Sequence, residues 1–163
     1  MAESLVWPAI VGYTAAAVAY AGVLHGPGIS GRVAIWGVRL GWIAQTALLL
    51  VQGLRADGFP WGRWAGALDL FVWLVVTAYL VWGCNARFRL LGLGVMPLAA
   101  ALLLVSWTGG GTGLSDGVHS DAVLIAHVAL TLAALAGLTL AAGMAGLYLW
   151  EDGRLRHLKC LTR

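Results

Sequence analysis

Five apolar stretches, each about as long as a lipid bilayer is thick, account for most of this sequence. They cover residues 5–24, 33–54, 65–82, 90–107 and 122–150. Because the hydrocarbon core of a bilayer needs roughly 20 apolar residues in helical form, each stretch predicts a transmembrane helix. Little sequence remains between them for a soluble domain. The sequence therefore predicts an all-α, polytopic transmembrane helix bundle in which residues 1–163 form a single domain.

The composition agrees with this prediction. Hydrophobic residues make up 61% of the chain and charged residues only 10%, whereas soluble domains carry roughly 25% charged residues. The first stretch resembles a signal peptide in position, but residues 1–4 carry no positive charge and the apolar run is too long. We therefore expect this first helix to be retained.

The distribution of basic residues predicts the orientation, because cytoplasmic loops collect Lys and Arg. Arg87 and Arg89 lie between the third and fourth stretches, and four more basic residues lie in the tail 151–163. The connection before the fifth stretch contains Asp116 and Asp121 but no Lys or Arg. This pattern predicts an outside N-terminus and a cytoplasmic basic tail.

Tryptophan positions support the same orientation, since indole rings favour the two membrane interfaces. Two of the nine, Trp42 and Trp73, are predicted to lie deep in the membrane. The other seven fall at the ends of the stretches: Trp7, Trp61, Trp64 and Trp107 at the outer side, and Trp36, Trp82 and Trp150 at the inner side.

Several other function classes are disfavoured. The net charge of +3 lies in short loops that the membrane topology already explains, so no nucleic-acid partner is predicted. The cysteines, Cys84 and Cys160, are far apart and form no redox pair. The glycine-rich segment 109–113 lacks the Lys and Ser/Thr of a phosphate loop, which favours a flexible connector. No catalytic constellation can be drawn, and the chain is not predicted to be an enzyme.

Four polar residues inside the apolar stretches are the candidates for function, because ionisable and polar groups are costly in a membrane. Arg39 lies near the inner edge, where its side chain can extend to the interface. Gln45 lies near mid-membrane and must bond to a neighbouring helix. Asp69 is placed at the start of the third helix, where a helix N-terminus favours an acid. His127 lies near the outer end of the fifth helix.

Two interpretations of His127 are open. A single intramembrane histidine is ordinarily a packing residue, but His119 lies in the adjoining outer loop. Two imidazoles on one side of the membrane could ligate a metal or a haem iron. The fifth helix also carries a small residue at every fourth position, which predicts a packing surface for another helix. These residues are Ala129, Ala133, Gly137, Ala141 and Ala145.

Two regions resemble the CcsA/HemX-type cytochrome c assembly proteins. Residues 124–130 (LIAHVAL), followed by a small-residue helix that ends in the basic segment 147–156 (LYLWEDGRLR), resemble the family's fifth helix. Residues 58–61 (GFPW) and the aromatic helix 70–82 resemble its Phe-Pro loop and third helix. Residues 87–89 and 96–98 fit as well, so that the resemblance extends from about Arg32 to Lys159.

This resemblance implies a haem-handling protein of a bacterial cytoplasmic membrane, since family members deliver haem to apocytochrome c or, in the HemX branch, influence haem synthesis. It implies that His127 ligates or positions haem near the outer face of the membrane, with His119 as a candidate second ligand. The implied partners are the lipid bilayer, the apocytochrome c assembly machinery and a second membrane subunit.

The chain also departs from the family. Gln45 stands where many relatives have a histidine in the second helix, and an amide is a poor ligand for haem iron. Relatives have more helices, and CcsA members have a tryptophan-rich external segment without a counterpart here. We therefore expect missing C-terminal helices or a second polypeptide. Two alternatives stay open: a membrane partner or regulatory subunit that binds no haem, and a transporter in which Arg39, Gln45 and Asp69 line a path.

Overall fold

The protein is helical throughout the part that the computed structural model describes, which comprises residues 3–23, 30–55, 60–82, 89–112 and 121–161. No strand occurs in these ranges. Five α-helices follow in chain order: α1 (Val6–Val23), α2 (Ser30–Arg55), α3 (Trp64–Trp82), α4 (Arg89–Thr108) and α5 (Ala122–Leu161). Short 3₁₀ turns precede α1 at Glu3–Leu5 and α3 at Pro60–Gly62. The predicted all-α bundle is confirmed.

Four of these helices, α2 to α5, are long and apolar enough to cross a membrane. The first helix is shorter, with an apolar stretch at Val6–Gly22, whereas the sequence predicted a span over residues 5–24. At the other end of the chain, α5 continues to Leu161. The predicted tail 151–163 is therefore, over most of its length, an extension of the last helix.

Helices that follow one another in the chain run antiparallel, and α1 is also antiparallel to α4. Near one end of the bundle, the rings of Trp7 on α1 and Trp107 on α4 lie 5.1 Å apart, and Ser106 on α4 donates a 2.7 Å hydrogen bond to the carbonyl oxygen of Ala65 on α3. Helices α1, α2, α3 and α4 form a closed group around a shared apolar core, and α5 packs outside it, chiefly against α3. The most apolar stretch of α5 is only 11% buried, against 33–44% in α2, α3 and α4.

The backbones of α1 and α2 approach each other closely at three glycines. A Cβ at Gly12 would lie 2.8 Å from the carbonyl oxygen of Gly37 and 2.8 Å from the Cα of Gly41. A Cβ at Gly41 would lie 2.8 Å from the ring of Tyr13. Gly37 and Gly41 form a GxxxG pair, which lets helix backbones come together in a membrane. This packing surface was not singled out in the sequence analysis, although the glycine spacing is its signal.

The glycine-rich segment after α4 begins as a helix cap, whereas Gly113, at the end of the predicted flexible connector, lies outside the described residues. Gly110 has a φ of 75°, a conformation in which glycine meets no Cβ penalty. The amides of Gly110 and Gly111 donate to the carbonyl oxygens of Trp107 (3.0 Å) and Ser106 (2.8 Å), the two bonds of a Schellman motif. Gln52 of α2 then donates to the carbonyl oxygen of Gly111 at 2.9 Å. The turn is thus fixed against the end of α2.

Candidate functional site

A chain of buried hydrogen bonds joins three helices through Gln45. The hydroxyl of Tyr13 on α1 donates to Oε1 of Gln45 at 2.6 Å. Gln45 Nε2 in turn donates to Oδ1 of Asp69 on α3 at 2.7 Å and to the main-chain oxygen of Asp69 at 3.1 Å. All three side chains have no exposed surface. The prediction that Gln45 bonds to a neighbouring helix is confirmed.

The predicted setting of Asp69 is wrong. The residue was expected at the start of the third helix, but α3 begins at Trp64 and Asp69 lies beyond its first turn. Its carboxyl group is therefore too far along the helix to cap it, and it is held instead by Gln45. The second carboxyl oxygen, Oδ2, is buried without a hydrogen-bond partner in the described ranges. A buried polar group in an apolar interior is costly unless it is paired, so Gln45 is the principal stabiliser of this acid.

The two deep tryptophans form a reciprocal pair between α2 and α3. Trp42 Nε1 donates to Oγ1 of Thr77 at 2.8 Å, and Trp73 Nε1 donates to Oγ1 of Thr46 at 2.8 Å. Their rings are stacked with centroids 6.1 Å apart. Each threonine follows a tryptophan by four residues on its own helix and donates to that tryptophan's carbonyl oxygen. The repeated spacing in two antiparallel helices thus satisfies both indole groups inside the membrane span.

Arg39 lies apart from this buried chain. Its side chain is exposed on α2, and its guanidinium carbon is 5.7 Å from the centre of the Trp36 ring. Gln45 and Asp69, by contrast, are fully buried between helices. The transporter alternative requires Arg39, Gln45 and Asp69 to line one cavity. The structure does not place these three residues together in this way.

His127 is exposed on α5, in the second turn of the helix. Its carbonyl oxygen accepts a 2.7 Å hydrogen bond from Thr131 Oγ1, a contact within the helix. In the part of the chain that the structure describes, its imidazole has no hydrogen-bond partner, and no group of three or more potential metal ligands occurs. The predicted second ligand, His119, lies outside the described residues.

The predicted packing residues of α5 form an exposed surface, which we call the α5 small-residue face: Ala129, Ala133, Gly137, Ala141 and Ala145. A Cβ added to Gly137 would have open space around it. The residues that α5 buries against the other helices are different ones, Ala136 and Leu140. The small-residue face therefore does not pack within the described part of this chain, and its role in association stays a prediction.

Two cavities lie near the end of the bundle at which α3 begins. One, of about 290 Å³, is lined by the start of α3 and by the cap of α4, at Arg63–Gly66 and Gly109–Gly111. The other, of about 310 Å³, is an apolar groove between α2 and α3 that is open at the side, with Thr46, Trp61 and Trp73 in its lining. Neither includes His127, so a ligand of this imidazole would be bound on the outside of the bundle.

These features define the class of the protein as a polytopic helical membrane protein whose last helix is largely uncovered. Comparison of the chain with protein-family models, with curated proteins and with solved structures gave no match.

Proposed function

We propose that this chain is a haem-handling membrane protein of cytochrome c assembly, in which His127 binds or positions haem at the surface of α5. The observation that carries the proposal is the free, exposed imidazole of His127 on an apolar helix that the rest of the chain leaves largely uncovered. A neutral imidazole nitrogen is a common axial ligand of haem iron. The resemblance of residues 124–130 and 147–156 to CcsA/HemX-type proteins supports the same conclusion.

The buried chain limits how such a protein would hold haem. Gln45, which stands where many relatives have a histidine, is fully buried and bonded to Tyr13 and Asp69. It cannot turn toward a ligand outside the bundle without leaving both partners unpaired. In this proposal α2 therefore has a structural role, and a second axial ligand comes from His119 or from a partner polypeptide.

In the proposed setting, the end of α5 that carries His127 faces the outer side of a bacterial cytoplasmic membrane. The absence of Lys and Arg in the preceding connection and the basic residues after Trp150 support this orientation. The partners would be the apocytochrome c assembly machinery and a second membrane subunit. Neighbouring apolar side chains and lipid would exclude water from the iron.

Haem binding can be tested directly in the detergent-purified chain. We expect near-stoichiometric haem in the reduced-minus-oxidised absorption spectrum and a loss of most of it in His127→Ala, with a smaller loss in His119→Ala. His25 follows the first apolar stretch, so an outside N-terminus places it on the cytoplasmic side of the membrane. His25→Ala is therefore the matched control and should keep its haem. No haem in the unaltered protein after haem is supplied, or equal loss in His127→Ala and His25→Ala, would overturn the proposal.

A second candidate function is that of a membrane partner or regulatory subunit without haem. The α5 small-residue face favours it, because these residues are exposed along the least buried helix of the chain. Small residues allow a second helix to approach closely enough for backbone contacts and good packing. A 40-residue helix of about 60 Å also provides a long surface for such a partner.

The two candidate functions predict different effects of substitutions on α5. If the chain acts as a docking subunit, Ala133→Leu and Gly137→Leu should abolish co-purification of a membrane polypeptide, and His127→Ala should leave it unchanged. Gly146→Leu is the matched control, since Gly146 is exposed on α5 with open space around it and is not three, four or seven residues from any residue of the small-residue face. Equal co-purification with Gly137→Leu and Gly146→Leu would remove this candidate.

A further inference from the structure

A basic surface lies on the first half of α2, toward the end at which this helix begins. Arg32, Trp36 and Arg39 are all exposed and are spaced by four and three residues. Residues with this spacing share one face of a helix. We call these three residues the α2 basic surface. It lies at the opposite end of α2 from Gln52 and Arg55, and it is separate from the buried chain and from His127.

The contact between Arg39 and Trp36 fixes the direction of the Arg39 side chain. The guanidinium carbon lies 5.7 Å from the centre of the Trp36 ring, within the range of a cation–π interaction. Because Trp36 precedes Arg39 by almost one turn, this contact points the guanidinium toward the start of α2. The backbones of Arg32 and Arg39 are about 10 Å apart along the helix, and the orientation of Arg39 brings its charge closer to Arg32.

The two arginines are not neutralised by the described part of the protein, in which neither makes an ion pair. Asp69 is bonded to Gln45, and Asp121 precedes α5 at the end of the bundle where α2 finishes. Asp152 belongs to α5, which packs against α3 and α4. Two cations thus lie on one face of a membrane helix, with an indole between them.

We infer that the α2 basic surface binds the phosphate group of an anionic phospholipid in the leaflet reached by the start of α2. Basic residues next to a membrane span attract anionic headgroups, and the planar fork of an arginine fits phosphate oxygens. Exposed apolar side chains continue along α2 beyond Arg39, with Leu40 and Ile43 more than half exposed. A lipid bound here can place its headgroup at the arginines and its acyl chains along Leu40 and Ile43. Neither a nucleic acid nor an acidic peptide would use these apolar side chains.

Native mass spectrometry of the detergent-purified chain tests this inference, with dioleoyl phosphatidylglycerol and dioleoyl phosphatidylcholine as the two probes. The unaltered protein should bind phosphatidylglycerol more tightly, and Arg39→Gln should weaken that binding about fivefold while leaving phosphatidylcholine binding unchanged. Arg39→Lys keeps the charge and should retain most of the preference. Trp36→Leu should weaken it about twofold, because the cation–π contact that orients Arg39 is lost.

Arg55→Gln is the matched control, since it removes an exposed arginine from the opposite end of the same helix and causes the same change in net charge. Its phosphatidylglycerol affinity should equal that of the unaltered protein. Equal affinities for the two lipids would overturn the inference, and so would an equal loss in Arg39→Gln and Arg55→Gln, which would indicate attraction by net charge alone. Far-ultraviolet circular dichroism should show the same helical content in every variant, because each altered side chain is exposed.

Discussion

Gln45 donates two hydrogen bonds to one residue, Asp69, at 2.7 Å to the carboxyl oxygen and 3.1 Å to the main-chain oxygen. Since both atoms of Asp69 belong to α3 and Gln45 belongs to α2, these bonds fix the register of the two helices. Tyr13 extends the connection to α1 by its bond to the other end of the same amide. One amide side chain thus links three helices inside the apolar core.

Replacing this amide should destabilise the bundle more than its size suggests. Gln45→Leu keeps a similar volume but leaves the Tyr13 hydroxyl and the Asp69 carboxyl without their partner in a buried site. We expect a loss of about 2–3 kcal/mol in the free energy of unfolding, measured by circular dichroism during denaturation in mixed micelles. Thr14→Val is the control, because Thr14 is exposed and bonds only within α1. Equal stability of the two variants would contradict this prediction.

The connection to α1 should show coupling. Tyr13→Phe removes one hydroxyl and should cost about 1 kcal/mol in the unaltered background. In the Gln45→Leu background the same substitution should cost little or nothing, because its partner is already absent. A double-mutant cycle on the unfolding free energies measures this difference. Strict additivity of the two substitutions would mean that the Tyr13 hydroxyl is not coupled to Gln45, which would contradict this prediction.

The reciprocal tryptophan pair predicts two matched losses. Thr46→Val and Thr77→Val each leave one indole N–H of the stacked pair without its acceptor, and each keeps the shape of the side chain. We expect each to lower the unfolding free energy by about 1 kcal/mol, by similar amounts. Thr131→Val on α5 removes only a bond within the helix of an exposed residue and should cost much less. A cost for Thr46→Val no greater than that for Thr131→Val would contradict the structure.

The helices were predictable from the sequence because length and apolarity decide them locally. The observed ends of α2, α3 and α4 lie within three residues of the predicted ones, as the comparison of Ser30–Arg55 with 33–54 shows. The extension of α5 past Trp150 was not predicted, because the charged residues there were assigned to a cytoplasmic tail. Charged residues do not by themselves end a helix. The single glycine in this segment, Gly153, does not end α5 either.

The arrangement of the polar residues was less predictable, because it depends on which helices are neighbours. Apolarity required Gln45 to find a partner, but nothing in the sequence identified Tyr13 and Asp69 as the partners. The sequence-based prediction of a packing face used the regular series of small residues on α5 and did not include the glycines of α1 and α2. Regular spacing does not distinguish a helix face that packs within the chain from one that is left uncovered. The structure makes this distinction: Gly41 packs against Tyr13, whereas Gly137 has open space around it.

These two glycines give a paired prediction. At Gly41 a methyl group would meet the Tyr13 ring at 2.8 Å, and that ring is held by the bond to Gln45 and cannot easily move. Gly41→Ala should therefore lower the unfolding free energy by about 1–3 kcal/mol, as other overpacked sites do. Gly137→Ala has open space around the new methyl group and should be neutral or slightly stabilising, since alanine favours the helix. The reverse order in thermal denaturation would contradict the α1–α2 packing.

The proposed orientation makes a prediction about cysteine labelling, because Cys84 and Cys160 are both expected on the cytoplasmic side. A membrane-impermeant maleimide should label neither residue in intact cells and both after the membrane is permeabilised. The control is a variant with both cysteines replaced by serine and a new cysteine introduced as Ser115→Cys, in the connection that is predicted to face outward. That variant should be labelled in intact cells. Labelling of Cys160 without permeabilisation would show that the orientation is the reverse of the proposed one. His127 would then not lie at the outer side, where the haem-handling proposal requires it.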